Sequence, residues 1–147
     1  MKIYTIREVS KLLDLPPSTL RYYEEVGILS NVKKNSSGQR IYEESHIHRL
    51  FTIICFKRTG MSISKIQSFF IYEEDKAANI DNLIDLLNNQ KKQVDEQIKG
   101  LIEDIEHVQK KIIYYRGIKN AIDNDRNMPN WNEFKDLEIK YKGINFD

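Results

Sequence analysis

A short polar segment near the start of the chain carries the side chains best suited to contact nucleic acid: Ser18, Thr19, Arg21, Tyr22 and Tyr23. Hydroxyl groups at the start of a helix reach base edges or phosphates, and arginine and tyrosine form charged and neutral hydrogen bonds with a phosphate backbone. The same residues would also suit an amphipathic surface helix whose long side chains extend into water. The elements around the segment decide between these two interpretations.

Two short helices joined by a tight turn are predicted to carry this segment. Thr5 and Glu8 have the spacing of a capping box, and apolar residues recur beside them at helical spacing: Ile6, Val9, Leu12 and Leu13. Residues 14–16 then interrupt the helix. Pro17 suits the first position of a second helix, and Gly27 suits the left-handed residue that ends it. This is the helix-turn-helix pattern, with the polar segment on its second helix.

A small β-hairpin, or wing, is predicted after the helix pair. A polar turn that contains Gly38 separates Val32 from Ile41, as in a hairpin. Its cations could hold phosphates beside the groove that the second helix enters: Lys33, Lys34 and Arg40. A solvated loop is the alternative for this segment when it is taken without the preceding helices.

Two further helices and a polar linker are predicted next. The first runs from Glu43 to Thr59 with Gly60 as its stop, and the second begins at an N-cap, Ser62. Apolar residues recur along both: Ile47, Leu50, Phe51 and Ile54, then Ile63, Ile66, Phe69 and Phe70. Residues 73–79 are polar and form a linker to the last helix.

A heptad repeat then extends over about five heptads. One set of positions is Ile84, Lys91, Ile98, Ile105 and Ile112, and the other is Leu87, Val94, Leu101, Val108 and Tyr115. A helix from Ile80 to Tyr115 would be about 54 Å long at about 1.5 Å per residue. Such a narrow stripe favours pairing with a second chain over folding back onto one small domain. A two-fold dimer would set two helix-turn-helix units about 34 Å apart, or a multiple, to read a pseudo-palindrome.

Composition fits one folded domain with an extension. Of the 147 residues 40% are hydrophobic and 31% are charged, and no apolar run or leader pattern indicates a membrane segment. The single cysteine, Cys55, excludes an internal disulfide framework and is typical of a reducing cytoplasm. Residues 1–60 hold 10 Lys and Arg against 6 Asp and Glu, whereas residues 61–147 hold 13 against 16. The first part is therefore the half with affinity for a polyanion.

Four motifs in this order resemble the MerR family of bacterial transcription regulators. They are Tyr4-Thr5-Ile6-Arg7-Glu8-Val9-Ser10, Ser18-Thr19-Leu20-Arg21-Tyr22-Tyr23-Glu24 with Gly27-Ile28-Leu29, Gly38-Gln39-Arg40-Ile41-Tyr42, and Lys57-Arg58-Thr59-Gly60-Met61-Ser62-Ile63. The match covers roughly residues 3–72, and the long helix lies where that family dimerises.

The resemblance implies a mainly α fold, with a winged helix-turn-helix DNA-binding domain and a long dimerisation helix that pairs as an antiparallel coiled coil. It implies a homodimer on double-stranded promoter DNA with an overlong spacer, which it bends and untwists for RNA polymerase. At the matching positions, the recognition-helix contacts would be Ser18, Thr19, Arg21 and Tyr22. The backbone contacts would be Tyr23, Arg40 and Lys57, with Tyr42 supporting the wing.

Three positions depart from the family pattern without threatening the fold. Arg7 stands where the family commonly has glycine. The arginine adds either a phosphate contact or only surface charge. Asp14 replaces a turn glycine and tolerates left-handed geometry better than most residues. Lys65 replaces the usual acidic residue after the Ser62 cap.

The sequence says less about the signal that the protein senses than about its binding to DNA. No cysteine follows Cys55, and the three histidines have no thiolate partner, so metal and iron–sulfur sensing are excluded. The segment around Cys55 resembles the branch of the family that responds to aldehydes and other electrophiles through one cysteine. Arg58 would favour the reactive thiolate and Phe51 would oppose it. The alternatives are a buried, inert Cys55 with a ligand pocket at the dimer helix and tail, or a DNA-bending protein without an effector.

These interpretations divide the chain into a DNA-binding domain at residues 1–75, a dimerisation helix at 76–118 and a short tail at 119–147. The tail is expected to fold back as a small lid or strand, and its aromatic residues are expected to pack: Trp131, Phe134, Tyr141 and Phe146. No nucleophile–base set is visible, so the protein is not expected to be an enzyme, and no cofactor is expected. It is expected in the cytoplasm, on the bacterial nucleoid, without a membrane partner.

Overall fold

The structure is a computed structural model that describes residues 2–143. The chain divides into two compact units between Lys91 and Lys92. Phe146, one of the predicted packing residues, lies outside the described residues. No helix within residues 2–143 is long and apolar enough to span a membrane.

The first helix of the chain begins as its sequence predicts. Helix α1 spans Ile6–Leu13, and the Thr5–Glu8 capping box closes it: the Thr5 N–H donates to Glu8 Oε2 at 2.7 Å, and the Glu8 N–H donates to Thr5 Oγ1 at 3.3 Å. Asp14 ends the helix in the left-handed region with φ 51°. The capping box lowers the pKa of Glu8, chiefly through the bond from the Thr5 N–H.

The second helix places its polar and apolar residues on different sides. Helix α2 spans Pro17–Glu25 with proline at its first position, and Gly27 follows with φ +78°. Leu20 and Tyr23 are buried. Ile28 and Leu29 return the chain to the core directly after Gly27, and both are fully buried.

A three-stranded antiparallel sheet contains the predicted wing. Strand β1 spans Ile3–Thr5, β2 spans Lys33–Lys34 and β3 spans Arg40–Glu43, in the order β1-β3-β2. Tyr4 pairs with Tyr42 in one ladder, and Lys34 pairs with Arg40 in the other. The hairpin is confirmed, whereas β1 is an addition that the sequence interpretation missed, because three residues are too few to establish an alternating pattern.

Two helices complete the core of the first unit. Helix α3 spans Glu44–Arg58 and α4 spans Ile63–Glu74, with the Ser62 hydroxyl accepting from the Lys65 N–H at 3.2 Å. The fully buried side chains come from every part of the unit: Val9, Leu20, Ile28, Leu29, Tyr42, Leu50, Ile53 and Ile66. Phe56 and Phe69 add an edge-to-face ring contact at 4.8 Å.

The long helix extends further than the heptads predict. Helix α5 spans Ile80–Asp123, about 66 Å at about 1.5 Å per residue, so the expected end near residues 115–118 is wrong by at least five residues. Gly117 does not stop it. A glycine inside a helix costs about 1 kcal/mol relative to alanine, and α5 continues through it where Pro129 and Phe134 of the tail lie close by.

The tail folds back along the second half of α5. After α5, its only helical segment within the described residues is a 3₁₀ turn at Trp131–Glu133. Of the two expectations for the tail, a small lid or a strand, the strand is therefore wrong. The Trp131 ring contacts Tyr114 and His107 edge to face, and Phe134 also contacts Tyr114. The Lys111 ammonium lies 3.5 Å from the centre of the Trp131 ring. Trp131 and Phe134 therefore pack, as their sequence context predicts.

Candidate nucleic-acid interface

Helix α2 presents a polar face to solvent. Ser18, Arg21 and Tyr22 are exposed and stand at i, i+3 and i+4, the spacing that shares one side of a helix. Thr19 is half-buried, and the Tyr22 ring is 45% exposed. Because the opposite side of the helix is buried in the core, this polar face is the one that remains free to enter a groove.

The wing turn is held by one asparagine. Asn35 Oδ1 accepts from the backbone N–H groups of Ser37 at 3.0 Å and Gln39 at 2.9 Å, and Gly38 adopts φ +76°. Lys33 and Lys34 are exposed on β2. Lys33 lies 3.7 Å from the Glu43 carboxylate, a surface contact that leaves its ammonium largely in water.

An ion pair joins the wing to helix α2. Arg40 Nε donates to Glu24 Oε2 at 2.6 Å, and both side chains are about one-quarter exposed. This bond is the main reason why the pKa of Arg40 is raised. The pair orients the Arg40 guanidinium beside α2 and leaves its terminal N–H groups available to an anion.

Two tyrosines of the predicted site lie mainly in the core. Tyr42 is fully buried, and its hydroxyl has no hydrogen-bond partner among the described residues. Burial raises its pKa, with a further contribution from Glu24. This burial leaves Tyr42 no surface for a direct contact with DNA and fits its expected role in supporting the wing. Tyr23 is only 6% exposed and its pKa is also raised by burial, so little of its surface is available for the predicted phosphate contact.

Two residues that the sequence interpretation did not single out fix the loop after α2. His46 Nδ1 accepts from the Glu43 N–H at 2.9 Å, so Nε2, 3.1 Å from the Ser30 carbonyl, carries the proton and donates. Arg49 Nε donates to the Ile28 carbonyl at 2.6 Å, and its guanidinium stacks 3.6 Å over the Phe70 ring. Burial lowers the pKa of Arg49. The only sequence signal for His46 is its position three residues after the helix cap.

Comparison with known proteins agrees with this arrangement. The family model described as "MerR HTH family regulatory protein" matches residues 4–70. An uncharacterised HTH-type transcriptional regulator of Bacillus subtilis, YyaN, is 28% identical over 137 residues, which are 84% of this chain and 99% of that protein.

Two crystal structures are similar in fold and sequence. A MerR-family transcriptional regulator from Bacillus thuringiensis is 31% identical with a TM-score of 0.67, covering 76% of this chain and 98% of that one. The chain belongs to the MerR family. HiNmlR, a MerR-family regulator described as lacking the sensor domain and bound to promoter DNA, is 28% identical with a TM-score of 0.76 over 82% of this chain and 91% of its own.

The MerR fold places the remaining predicted residues on α3. Cys55 is exposed, which contradicts the alternative of a buried cysteine, and Phe51 is 56% exposed one turn earlier. Lys57 and Arg58 are exposed in the last turn of the helix. Within residues 2–143, no three His, Cys, Asp or Glu side chains lie close enough together to hold a metal ion.

The structure thus brings together part of the predicted site of this MerR-family regulator. Arg21 and Arg40 line one cleft, and Ser18 and Tyr22 share the outward face of α2. No hydrogen bond or ion pair within residues 2–143 joins the Lys57 side chain to α2 or to the wing. Its contact with the DNA backbone stays a prediction.

Proposed function

We propose that this MerR-family DNA-binding regulator acts as a homodimer on a pseudo-palindromic promoter, with α2 of each protomer in a major groove. The observation that carries the proposal is the exposed face of Ser18, Arg21 and Tyr22 beside the cationic wing. Such a face combines a cation with hydroxyl donors, which read base edges and phosphates. The promoter-bound state of HiNmlR, which shares the fold, supports the same partner.

The uncovered heptad stripe of α5 supports the dimer. Seven of its apolar positions remain between 39% and 62% exposed: Ile84, Leu87, Leu101, Ile105, Val108, Ile112 and Tyr115. An apolar stripe of this length and narrowness matches the seam of a coiled coil rather than a surface in water. The same stripe on an antiparallel partner would cover it.

DNA distortion is the proposed mode of action, with RNA polymerase as the second partner at the promoter. Bending or untwisting DNA over 20–30 base pairs costs on the order of 1–6 kcal/mol. Cations beside each recognition helix offset such a cost through phosphate contacts. The lysines of the wing and the exposed Lys57 are the groups that we assign to those contacts.

Selection of duplexes from a randomised pool tests the proposal directly. We expect recovery of inverted half-sites whose centres are about one helical turn, or a multiple, apart. Arg21→Ala should abolish the enrichment, whereas Lys76→Gln, a matched loss of charge in an exposed turn after α4, should leave it intact. Recovery of a single half-site, or equal enrichment by Arg21→Ala, would contradict this assignment.

Electrophile sensing through Cys55 is a second proposal, favoured by the exposure of this residue on α3. A thiolate is the nucleophile that an aldehyde or alkylating agent captures, and Arg58 stands at i+3 on the same helix. Because Cys55 is the only cysteine in the sequence, an adduct on it is unambiguous.

Run-off transcription from the protein's own upstream promoter tests the sensor. Wild type and Cys55→Ser are compared with and without a small aldehyde, and DNA binding of both is measured in parallel. Activation that is lost in Cys55→Ser while DNA binding persists would support the sensor. Equal activation of wild type and Cys55→Ser by the aldehyde would overturn the sensor. A hydrophobic ligand that raises the melting temperature without a change in covalent mass would favour a ligand pocket instead. Weak sequence selectivity would favour an effector-free DNA-bending protein.

A further inference from the structure

A cleft lies where the start of α1, the outward face of α2 and the tip of the wing meet. Three arginines line it, Arg7, Arg21 and Arg40, together with Gln39 and Gly38 of the wing turn. No Asp or Glu is among these lining residues. Each of the three arginines comes from a different element, so the fold and not one helix surface brings the charges together.

The charge of this cleft is only partly compensated. Glu24 bonds Arg40, but no side-chain hydrogen bond or ion pair within residues 2–143 engages Arg7 or Arg21. Glu8, next to Arg7 in sequence, is already bound by the N–H and hydroxyl of Thr5 at 2.7 and 2.9 Å. The nearest carboxylate in sequence is therefore engaged in closing its own helix.

A second cleft in the same unit provides the contrast. It lies between the base of the wing, α3 and α4, and its lysine and arginine, Lys33 and Arg49, are accompanied by two carboxylates, Glu43 and Glu73. A cleft with mixed charges has no preference for an anion. The three-arginine cleft does, because guanidinium groups bind phosphate oxygens through paired N–H donors.

We propose that the three-arginine cleft binds one phosphodiester group of the DNA backbone, and that Arg7 supplies a contact in addition to those of α2 and the wing. The inference rests on the proposed function, because it takes the outward face of α2 as the DNA-facing surface. The wing approaches the duplex on one side of the recognition helix, and α1 carries the added charge to the same cleft. Gly38 leaves the entrance open, with no atom within 4 Å of where a Cβ would stand.

The salt dependence of binding tests this contact. Anisotropy of a labelled selected duplex is measured across a potassium chloride series for wild type, Arg7→Gln, Arg7→Lys and the control Lys76→Gln. We expect Arg7→Gln to reduce the slope of log K against log salt by about 0.9 for each protomer bound. Arg7→Lys and Lys76→Gln should retain the wild-type slope. The preference for the selected over a scrambled duplex should be unchanged, since a phosphate carries no sequence information.

An unchanged slope for Arg7→Gln would overturn the inference while leaving the proposed function intact. A wild-type protein that selects no duplex would contradict the proposed function itself. A third arm replaces chloride with inorganic phosphate at matched ionic strength. We expect the same affinity for the duplex in both salts. If phosphate greatly weakens DNA binding by wild type but not by Arg7→Gln, the cleft binds free anions and not the DNA backbone.

Discussion

The two units of the chain are stabilised in different ways. In residues 2–91, buried side chains from α1, α2, the sheet, α3 and α4 form one continuous core that reaches to the start of α5. In residues 92–143, the one apolar side chain among those buried is Ala121, and the tail is held by half-buried rings. The first unit therefore carries its own hydrophobic stabilisation, whereas the second exposes apolar surface that only another surface can cover.

The second unit also uses the two sides of α5 differently. Contacts with the tail fall on these residues of α5: Glu106, His107, Lys110, Lys111, Tyr114 and Gly117. The heptad stripe lies on the opposite side at about 100° per residue. The tail thus covers one side of the helix and leaves most of the stripe exposed, including Leu101, Val108 and Tyr115.

Leu101→Lys should produce the largest effect. Leu101 is 61% exposed in the chain, so a lysine there costs little within one protomer. In an antiparallel dimer it removes two leucines from the seam at about 2 kcal/mol each, which raises the dissociation constant about a thousandfold. Sedimentation equilibrium measures the change. Gln93→Lys adds the same charge at an exposed position outside the heptad stripe and should leave the dimer intact. If the Leu101→Lys protein is as dimeric as wild type, the proposal that the heptad stripe pairs the two protomers is wrong.

Leu50→Ala should produce the next largest effect, in the first unit. Leu50 is fully buried, and its truncation should lower the free energy of unfolding by about 3 kcal/mol. Leu12 is 56% exposed, and Leu12→Ala should cost less than about 0.5 kcal/mol. Urea denaturation followed by circular dichroism compares the two. Equal costs would mean that the first unit lacks the packed core on which the comparison depends.

Alanine substitutions at two glycines of α5 test the packing of the tail and should change stability by a smaller amount. A Cβ at Gly100 would meet nothing within 4 Å, so Gly100→Ala should stabilise the helix by about 1 kcal/mol. A Cβ at Gly117 would stand 3.3 Å from Pro129 Cγ and 3.6 Å from Phe134 Cζ. Gly117→Ala should therefore gain less than Gly100→Ala and should change the fluorescence of Trp131, the only tryptophan. Equal gains with unchanged fluorescence would mean that the tail does not pack at Gly117.

Glu8→Gln should produce the smallest effect, a change in melting temperature that depends on pH. Its pKa is lowered from the ordinary value of 4.5, so its contribution to stability is complete above about pH 4.5 and is lost as pH falls through the folded-state pKa. Glu8→Gln should flatten the loss of melting temperature below pH 4.5, relative to wild type. Glu25→Gln, at an exposed carboxyl of α2, is the control and should follow wild type. A Glu8→Gln profile parallel to wild type would contradict the role of the capping box.

The parts of the fold that were predictable are those governed by local rules. The caps at Thr5 and Ser62, the left-handed Asp14 and Gly27, and the wing turn all follow from residues within four positions of one another. Strand β1 and the full length of α5 were not predictable, because tertiary contacts decide them: β1 exists by pairing with β3, and α5 continues past Gly117 where the tail packs.

The candidate site divides in the same way. Residue types and helical spacing were sufficient to predict that Ser18, Arg21 and Tyr22 lie on one face. The burial of Tyr42 and the bonds of His46 across the loop after α2 could not be predicted, since both depend on residues distant in sequence. The same holds for the meeting of Arg7 with Arg21 and Arg40.

The composition of the first core has a consequence for synthesis on the ribosome. No hydrophobic side chain in or packed against that core lies beyond Leu86 among the described residues, so its apolar groups have all been made before most of the heptad stripe. At about 5–20 residues per second, the 56 residues from Lys92 onward take roughly 3–11 s to translate. During that interval the nascent chain already contains the residues that form the core of the first unit but lacks most of the heptad stripe. Each polypeptide thus contains all residues of this core before its heptad stripe is complete, and the proposed dimerisation would be a later, concentration-dependent step.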